Sequence, residues 1–372
     1  MVAKEIVVLH ILNSLNTGGI ETWLVNLLRF YHAEKTANIR FVFLLSSTEK
    51  GFYDDEVTSM GGKIIYCSNS KNPLVLYRRV TRAVKEEGVD VIHSHVYAFS
   101  SVYALLSRFL KVEFIAHSHT NRSFTTFIKR TYHKVSSVLI NRFSDVKLAC
   151  SELAGKALFR DGEFEVLSYG VDANKFKPGL GIPEDLGGIA EELSGSLIVG
   201  HVGRFVDVKN HQFILEVAEC LKESKRPISF VFVGEGPEKK RIADLIEKKQ
   251  LSNIFFLEPR SDINRLMDSV FDVFILPSKF EGLGIVVLEA QSVGVPTVIS
   301  DKVPSEVVLF PDLVKIASIE QAADWAEEIS KIDKYEYSAK KAFNDRFSNS
   351  RYSLSIAAGQ LLEVYNRKAV EG

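Results

Sequence analysis

FDVFILPSKFEGLGIVVLEAQSVGVPTVIS, residues 271–300, is the stretch from which the fold of this chain is inferred. Its first apolar run ends at Pro277 and has the length and β-forming side chains of a parallel strand that is covered on both faces. The pattern then predicts a glycine-containing loop, residues 278–284, and a helix from Leu283 to Ser292 that Gly294 ends. A second apolar run completes the unit. Open α/β sheets bind ligands at such loops, because the loops lie at the carboxyl ends of the strands.

The loop also indicates the kind of ligand. Gly282 and Gly284 allow a ligand to approach the backbone closely, and the start of the helix offers unpaired N–H groups that suit a phosphate. Glu281 lies at this mouth and Glu289 about two turns into the helix, and carboxylates accept hydrogen bonds from sugar hydroxyls. The stretch therefore favours a ligand with a phosphate and hydroxyls. A strand–loop–helix unit with a purely structural role is the alternative.

Composition restricts the class of protein. A chain of 372 residues predicts two domains, and a formal net charge of -1 argues against a nucleic acid partner. The cysteines have neither zinc-site spacing nor a disulfide framework, so we expect a reducing compartment; they are Cys67, Cys150 and Cys220. The apolar run near the N-terminus is too short to span a bilayer. We expect a cytoplasmic protein.

Strand and helix signals alternate in the first half of the chain, which predicts a parallel sheet with helices on both faces. Ile6–Leu12 is the first strand, and Gly18-Gly19 then forms a tight loop before a helix. Further strands are predicted at Arg40–Leu45, Lys63–Tyr66, Val89–His93, Val112–His117 and Asp145–Cys150, and further helices at Pro73–Glu87 and Ser100–Leu110. The diglycine loop is not G-x-G-x-x-G, so a nicotinamide cofactor is disfavoured.

A second alternating series begins at Leu197, with further strands at Ile228–Val233 and Ile254–Leu257. In its first segment, LIVGHVGRFVDVKN, Arg204 and Lys209 follow a strand end, and a helix starts at about His211. Arginine suits bidentate contact with a phosphate, and lysine acts as a point charge. Two solvated loop cations are the alternative.

Two histidine pairs, His93/His95 and His117/His119, follow predicted strands. Together they would supply four metal ligands, but no carboxylate or cysteine joins them at ligand spacing. Local packing or hydrogen bonding of one member of each pair is the favoured alternative. We therefore expect no metal site.

Residues 114–144 contain no acidic residue. The segment 122–143 combines apolar side chains near helical spacing with the basic residues Arg122, Lys129, Arg130, Lys134 and Arg142. This pattern is typical of a membrane-surface helix, and an ordinary surface helix with a solvated basic face is the alternative. Nucleic acid binding would need more basic residues.

The motifs G-R-x4-K, from Gly203 to Lys209, and E-x7-E, from Glu281 to Glu289, occur in this order after the segment FIAHSHT. Together they resemble the retaining glycosyltransferases of family four, and the resemblance extends over nearly the whole chain. It implies an α/β chain with the GT-B fold, in which two Rossmann-like doubly wound domains with parallel sheets face each other across a cleft. The implied divisions are an acceptor-binding domain, 1–172, a donor-binding domain, 173–350, and a C-terminal helix, 351–372, that packs back on the first domain.

The resemblance also assigns residues. Arg204 and Lys209 would grip the donor diphosphate. His119 would lie near the donor sugar, with His117 as the less favoured candidate for this role. The base would bind near Arg260, largely through backbone. The implied catalytic residues are His119, Arg204, Lys209 and Glu281; the implied donor-binding residues are Gly18, Gly19, Gly203, Arg260, Gly282, Leu283, Gly284 and Glu289.

The expected reaction is hexosyl transfer, with retention, from a nucleotide-sugar to a glycan or lipid-linked oligosaccharide acceptor in surface polysaccharide biosynthesis. The family favours UDP as the nucleotide. The chain contains no D-x-D motif, so cations and a helix start would stabilise the departing diphosphate without a metal or cofactor. The opening segment and FIAHSHT resemble exopolysaccharide and capsule transferases in particular, which adds the inner membrane face as a peripheral location. A GT-B sugar-nucleotide epimerase is the principal alternative, beside a non-catalytic binding module.

Overall fold

The structure is a computed structural model that describes residues 5–34, 38–67, 73–121 and 126–371. The chain divides into two compact units. The first contains residues 1–170 together with 354–372, and the second contains residues 171–353.

The first unit is built on a parallel sheet, as the alternation of apolar runs predicts. The seven described strands have the order β3-β2-β1-β4-β5-β6-β7. They are β1 (Ile6–Leu12), β2 (Ile39–Leu45), β3 (Lys63–Tyr66), β4 (Val91–Ser94), β5 (Glu113–Ser118), β6 (Val146–Ala149) and β7 (Glu165–Val166). Every residue of β1 is buried, which explains why this strand has a continuous rather than an alternating apolar pattern.

Helices cover this sheet. They are α1 (Gly19–Glu34), α2 (Asp54–Ser59), α3 (Pro73–Glu87), α4 (Ser100–Leu110), α5 (Phe127–Phe143) and α6 (Glu152–Phe159). The predicted apolar face of α1 is buried, with Trp23, Leu24 and Leu27 completely inaccessible to solvent. Burial of such large side chains contributes roughly 1.5–3 kcal/mol each, which fixes the helix on the sheet.

The second unit repeats the plan. Its six described strands, all parallel, have the order β10-β9-β8-β11-β12-β13. They are β8 (Leu197–Val202), β9 (Ile228–Val233), β10 (Ile254–Leu257), β11 (Val273–Leu276), β12 (Thr297–Ser300) and β13 (Val314–Ala317). The helices are α7 (Gly187–Glu192), α8 (His211–Cys220), α9 (Lys239–Lys248), α10 (Ile263–Ser269), α11 (Ile285–Val293), α12 (Ala322–Lys331) and α13 (Tyr337–Ser348).

The C-terminal helix α14 (Leu354–Glu371) belongs to the first unit. The Tyr31 hydroxyl of α1 donates to the Ala358 carbonyl over 2.7 Å, and the Tyr365 hydroxyl lies 2.7 Å from Nδ1 of His93. At Gly170 a Cβ atom would lie 2.6 Å from the Leu354 Cα atom, so this approach of two segments requires glycine. Among the residues described, no helix is both long and apolar enough to cross a bilayer.

Three of the strands that begin later than predicted have the same reason for it. Asp90, Asp145 and Asp272 come directly before β4, β6 and β11. Their carboxylates accept the N–H groups of Val7, Phe114 and Ile198 on neighbouring strands, over 2.9, 2.9 and 2.8 Å. The side chain thus replaces the backbone acceptor at the start of the strand. The sequence prediction therefore placed the starts of these three strands one or two residues too early.

Each sheet has one position where its strand order reverses. In the first unit it lies between β1 and β4, and in the second between β8 and β11. Ligands of doubly wound sheets bind at the carboxyl ends of these strands. The loops after β8 and β11 are therefore the first place to look for a site in the second unit.

Candidate active site

The loops after β8 and β11 contact each other at the strand-order reversal of the second unit. The Lys279 N–H donates to the Val208 carbonyl over 2.8 Å, and the Asn210 side-chain amide donates to the Pro277 carbonyl over 3.2 Å. Nζ of Lys209 lies 2.6 Å from Oε1 of Glu281. The motifs G-R-x4-K and E-x7-E, which are distant in sequence, thus meet in one place.

The Lys209–Glu281 ion pair is only partly accessible to solvent. The side chains are 20% and 15% exposed, and the Ser278 hydroxyl donates to the same Glu281 oxygen over 2.7 Å. A cation and an oriented carboxylate therefore lie side by side in the loops that follow β8 and β11. This pairing suits a ligand that carries both an anion and hydroxyl groups.

The backbone that carries Arg204 is held by the glycine-rich turn after β9. A Cβ atom at Gly234 would lie 2.2 Å from the Gly203 carbonyl oxygen, and one at Gly236 would lie 2.4 Å from the Phe205 carbonyl oxygen. Only glycines therefore allow this turn to pack on the loop. The Arg204 side chain is exposed and forms no ion pair with the described part of the chain.

The helix α11 begins at Ile285, two residues after the predicted start at Leu283. Gly284 precedes it with a φ of 89°, a left-handed conformation that favours glycine, and Leu283 is buried in the loop. Gly294 ends the helix in a second left-handed conformation, as predicted. The positive end of the helix dipole thus lies beside Gly282 and Glu281.

Glu289 lies in α11, as predicted, and is buried. Burial raises the pKa of its carboxyl to about 7, and the Lys175 ammonium offsets part of this increase. The protonated and ionised forms of this carboxyl are therefore both populated at neutral pH. Glu289 is close to the point where its charge changes under physiological conditions.

Replacing Glu289 by Gln should stabilise the ligand-free protein at high pH. Because its folded pKa is raised, the carboxyl contributes stability that is complete near pH 4 and is lost as the pH rises through 7. At pH 8 the variant should have a free energy of unfolding higher by about 1–3 kcal/mol than the wild type. Thermal unfolding at pH 5 and pH 8 measures the difference.

The control for this prediction is E223Q, which changes an exposed glutamate. It should shift the melting temperature equally at both pH values. If E289Q also shifted it equally at both, the buried carboxyl would not be the titrating group.

The Arg260 guanidinium is occupied by two carboxylates. Its nitrogens lie 2.6 and 3.0 Å from the Asp185 carboxylate and 2.8 Å from each oxygen of Asp262. These contacts raise the pKa of Arg260 further and lower those of both aspartates. The contact of a base with the backbone near Arg260 stays a prediction.

The diglycine loop of the first unit leads directly into a helix. Gly19 is the first residue of α1, and the Thr22 N–H donates to the Gly18 carbonyl over 2.9 Å. The loop follows β1, so it lies at the strand-order reversal of the first sheet. This placement gives it the same topological position as the Arg204 loop of the second unit.

The side chain of His119 is buried and makes two hydrogen bonds. Its Nε2 lies 2.8 Å from Nδ1 of His95, and its Nδ1 lies 2.6 Å from the Tyr169 hydroxyl. Both ring nitrogens are therefore occupied. Burial lowers the pKa of His119 to about 3, so the ring is neutral.

His119 is part of a buried histidine cluster at the centre of the first sheet. Two groups, His10/His93/His95 and His95/His117/His119, each bring their ring nitrogens within 4.8 Å of one another. The four histidines of the sequence pairs therefore do come together, with His10 as an additional member. Hydrogen bonds between rings join them, and neither group contains a carboxylate or cysteine.

The helix α5 carries the predicted basic and apolar segment, except that its first residues, 122–125 with Arg122, lie outside the described residues. Phe127 and Ile128 are 83% and 80% exposed, and Tyr132, Val135 and Val138 are also exposed. Phe109 of the neighbouring α4 is 69% exposed. The basic side chains Lys129, Lys134 and Arg142 lie on the same helix and are exposed. Together these exposed apolar and basic side chains of α5, with Phe109, form what we call the α5 surface.

Comparison with known proteins assigns the family. The model described as Glycosyltransferase Family 4 matches residues 17–175, and the model described as Glycosyl transferases group 1 matches residues 189–348. The putative glycosyltransferase EpsF of Bacillus subtilis (strain 168) is 34% identical over 376 residues, which cover 96% of each chain. The chain is a glycosyltransferase of family four.

Two further relatives support the class and the fold. The capsular polysaccharide biosynthesis glycosyltransferase CapH of Staphylococcus aureus is 28% identical to this glycosyltransferase, over 98% of this chain and 99% of CapH. The crystal structure of Anabaena HepE in complex with UDP-glucose superposes with a TM-score of 0.78 at 18% identity, over 98% of this chain and 100% of HepE. The fold is GT-B, and the prediction of a GT-B glycosyltransferase is confirmed. The names of EpsF and CapH describe glycosyltransferases, and neither describes a sugar-nucleotide epimerase.

Each predicted site residue of this glycosyltransferase belongs to one of the two units. The first carries Gly18, Gly19 and His119, and the second carries Gly203, Arg204, Lys209, Arg260, Glu281, Gly282, Leu283, Gly284 and Glu289. Sequence reasoning missed Ser278, which orients Glu281, and His201, whose Nδ1 donates to the Ile275 carbonyl over 2.9 Å beneath this site. The position of Ser278, two residues after the end of β11 and three residues before Glu281, was the available signal.

Proposed function

We propose that this glycosyltransferase transfers a sugar, with retention of configuration, from a UDP-sugar to a glycan or lipid-linked oligosaccharide acceptor in surface polysaccharide biosynthesis. The contact between Lys209 and Glu281 carries this proposal, because it joins a phosphate-binding cation to a carboxylate suited to sugar hydroxyls. The second unit then binds the donor, and the first unit binds the acceptor. The UDP-glucose in HepE and the capsule function in the name of CapH support the choice of donor and pathway.

In this mechanism Arg204, Lys209 and the start of α11 neutralise the departing diphosphate. Negative charge grows on the leaving oxygen in the transition state, so fixed positive groups stabilise that state more than the bound donor. Glu281 orients the transferred sugar through its hydroxyls, and Glu289 accepts hydrogen bonds from the ribose. No metal takes part. His119 contributes to binding of the sugar, and Gly18 and Gly19 leave space for the donor phosphates and the acceptor.

Glu281 is poorly suited to act as a covalent nucleophile. Its Oε1 atom already accepts hydrogen bonds from Lys209 and Ser278. We infer that the acceptor hydroxyl attacks the same face of the sugar from which the diphosphate departs. Retention then needs no glycosyl-enzyme intermediate.

A thermal-shift panel tests the donor assignment. A UDP-sugar at 100 times its Kd should add about 2.7 kcal/mol to the free energy of unfolding and raise the melting temperature by a few degrees. GDP- and ADP-sugars at equal concentration should raise it less. The readout is the melting temperature with each of the three, together with release of UDP when acceptor is added. A larger shift with a GDP- or ADP-sugar would contradict the choice of uridine.

We further propose that the α5 surface docks on an anionic membrane and that the protein is peripheral on the inner membrane face. The exposed apolar side chains would enter the headgroup region, while Lys129 and Lys134 contact anionic lipids. A lipid-linked acceptor would then be presented at the surface where the enzyme is bound. Surfaces of this composition on soluble monomers mark interaction sites.

A further inference from the structure

A series of hydrogen bonds runs through the buried histidine cluster and ends at Tyr169. Nδ1 of His10 lies 3.0 Å from Nε2 of His95, and Nδ1 of His95 lies 2.8 Å from Nε2 of His119. Nδ1 of His119 then lies 2.6 Å from the Tyr169 hydroxyl. His10 is in β1, while His95 and His119 directly follow β4 and β5, so three neighbouring strands position this series.

We propose that His10 and His95 are positioning residues that hold His119 in the tautomer with hydrogen on Nδ1. His119 then presents an N–H donor, and not a lone pair, at the position now filled by the Tyr169 hydroxyl. The effect on sugar transfer rests on the proposed function of His119. The tautomer itself does not.

The tautomers of the three rings are coupled. Burial lowers the pKa of His10 and of His119 to about 3, and burial with the neighbouring histidines lowers that of His95 well below its usual value. Each ring is therefore neutral and carries a single N–H group. Each bond in the series needs one donor, so all three hydrogens lie either on Nδ1 or on Nε2.

The end of the series at His10 distinguishes these two arrangements. Nε2 of His10 is buried and has no hydrogen-bond partner within the described residues. If the hydrogens lay on Nε2, this atom would be a buried N–H donor without an acceptor. If they lie on Nδ1, it is only an unused lone pair. Unsatisfied buried N–H groups are the rarer of the two, because their desolvation is not compensated.

The arrangement also bears on metal binding by the cluster. The bonds between rings use the Nε2 lone pairs of His95 and His119, which a cation would need. A divalent ion here would bring two positive charges into a buried site whose histidine groups include no carboxylate. A neutral hydrogen-bonded series is consistent with both observations.

NMR of the protein labelled with 15N-histidine tests the proposal directly. Long-range 1H–15N correlations distinguish a protonated from an unprotonated ring nitrogen, and loss of one set of signals in H119Q assigns His119. We expect His119, His95 and His10 to be protonated on Nδ1 alone. Protonation of His119 on Nε2 would overturn the proposal. So would a stoichiometric metal in the purified protein, since ligation would displace the hydrogen bonds between the rings.

Variants of His95 then test the positioning role. The amide nitrogen of Asn in H95N can replace the Nδ1–H donor, so His119 should keep its tautomer and kcat should change little. H95L removes the donor, and we expect loss of the fixed tautomer and a kcat lower by about tenfold, the effect of one hydrogen bond. The matched control is H117N, because the hydrogen bond of His117 is to His93 and not to His119. It should leave the His119 tautomer unchanged.

The possible failures are separable. If H119Q transferred sugar at the wild-type rate, the proposed role of His119 would fail while the tautomer assignment stood. If H95L kept the Nδ1 tautomer, His95 would not be a positioning residue, whatever the activity.

Discussion

Replacing Lys209 by Ala, or Glu281 by Ala, should reduce kcat for sugar transfer by at least about 100-fold, the usual effect of removing one electrostatic contact to a developing charge. Lys209 loses its charge opposite the diphosphate, and Glu281 loses its contact with the sugar hydroxyls. Each change also leaves the other member of a 2.6 Å ion pair without its partner. Steady-state kinetics with donor and acceptor measure the loss, and circular dichroism checks that the fold remains.

The neighbouring lysine provides a matched control. Lys279 is 41% exposed and pairs with Asp207, 2.5 Å away, in an exposed ion pair between the same two loops. K279A removes a lysine from the loop without changing the proposed site, so kcat should remain within about threefold, as expected for an exposed pair. The double variant K209A/E281A should lose less than the product of the single losses, because the residues act as a unit. Wild-type activity in both single variants would refute the proposed mechanism.

Introducing aspartates at Phe127 and Ile128 together should reduce binding to anionic vesicles by at least about 100-fold, since burial of each side chain contributes roughly 1.5–3 kcal/mol. Both side chains are more than three-quarters exposed, at 83% and 80%, so the fold should tolerate the change. Co-sedimentation with vesicles of phosphatidylglycerol and phosphatidylcholine gives the partition coefficient. Added salt should weaken wild-type binding as well, because lysines on α5 contribute.

The control for the membrane surface is L74D. Leu74 is 68% exposed on α3, outside the proposed surface. Vesicle binding should be unchanged in this variant. Transfer to a short soluble acceptor should also be unchanged in F127D/I128D, because the surface would locate the enzyme and take no part in chemistry. Equal vesicle binding by the wild type and the double variant would exclude the α5 surface as the docking site.

Much of the fold follows from local pattern. Apolar runs such as Ile6–Leu12 and Ile228–Val233 are strands with the predicted bounds, and Pro73–Glu87 is a helix with the predicted bounds. These segments are reliable because a parallel strand is buried on both faces and an amphipathic helix on one, so composition and period identify them. Several errors lie at element starts, where a carboxylate accepts a strand N–H group or a left-handed glycine precedes a helix. Asp90 and Gly284 are examples.

The chemistry of the site was predictable only in part. The sequence identified Lys209 and Glu281 as candidates, because cations and glycines after strands indicate phosphate binding. It did not indicate that Glu289 is buried with a raised pKa, or that Arg260 is held by Asp185 and Asp262. Burial and ion pairing depend on segments that are distant in the chain. No local pattern encodes them.

The sequence by itself determined two parallel-sheet α/β units, the loops that follow their strands, and membership of a transferase family. The tertiary structure decided which loops and side chains meet. The order of strands places β8 beside β11, so that Lys209 reaches Glu281. It also places β1, β4 and β5 side by side, which joins His10, His95 and His119. Strand order is set by the packing of whole helices and strands, and such contacts between distant segments leave no local period in the sequence.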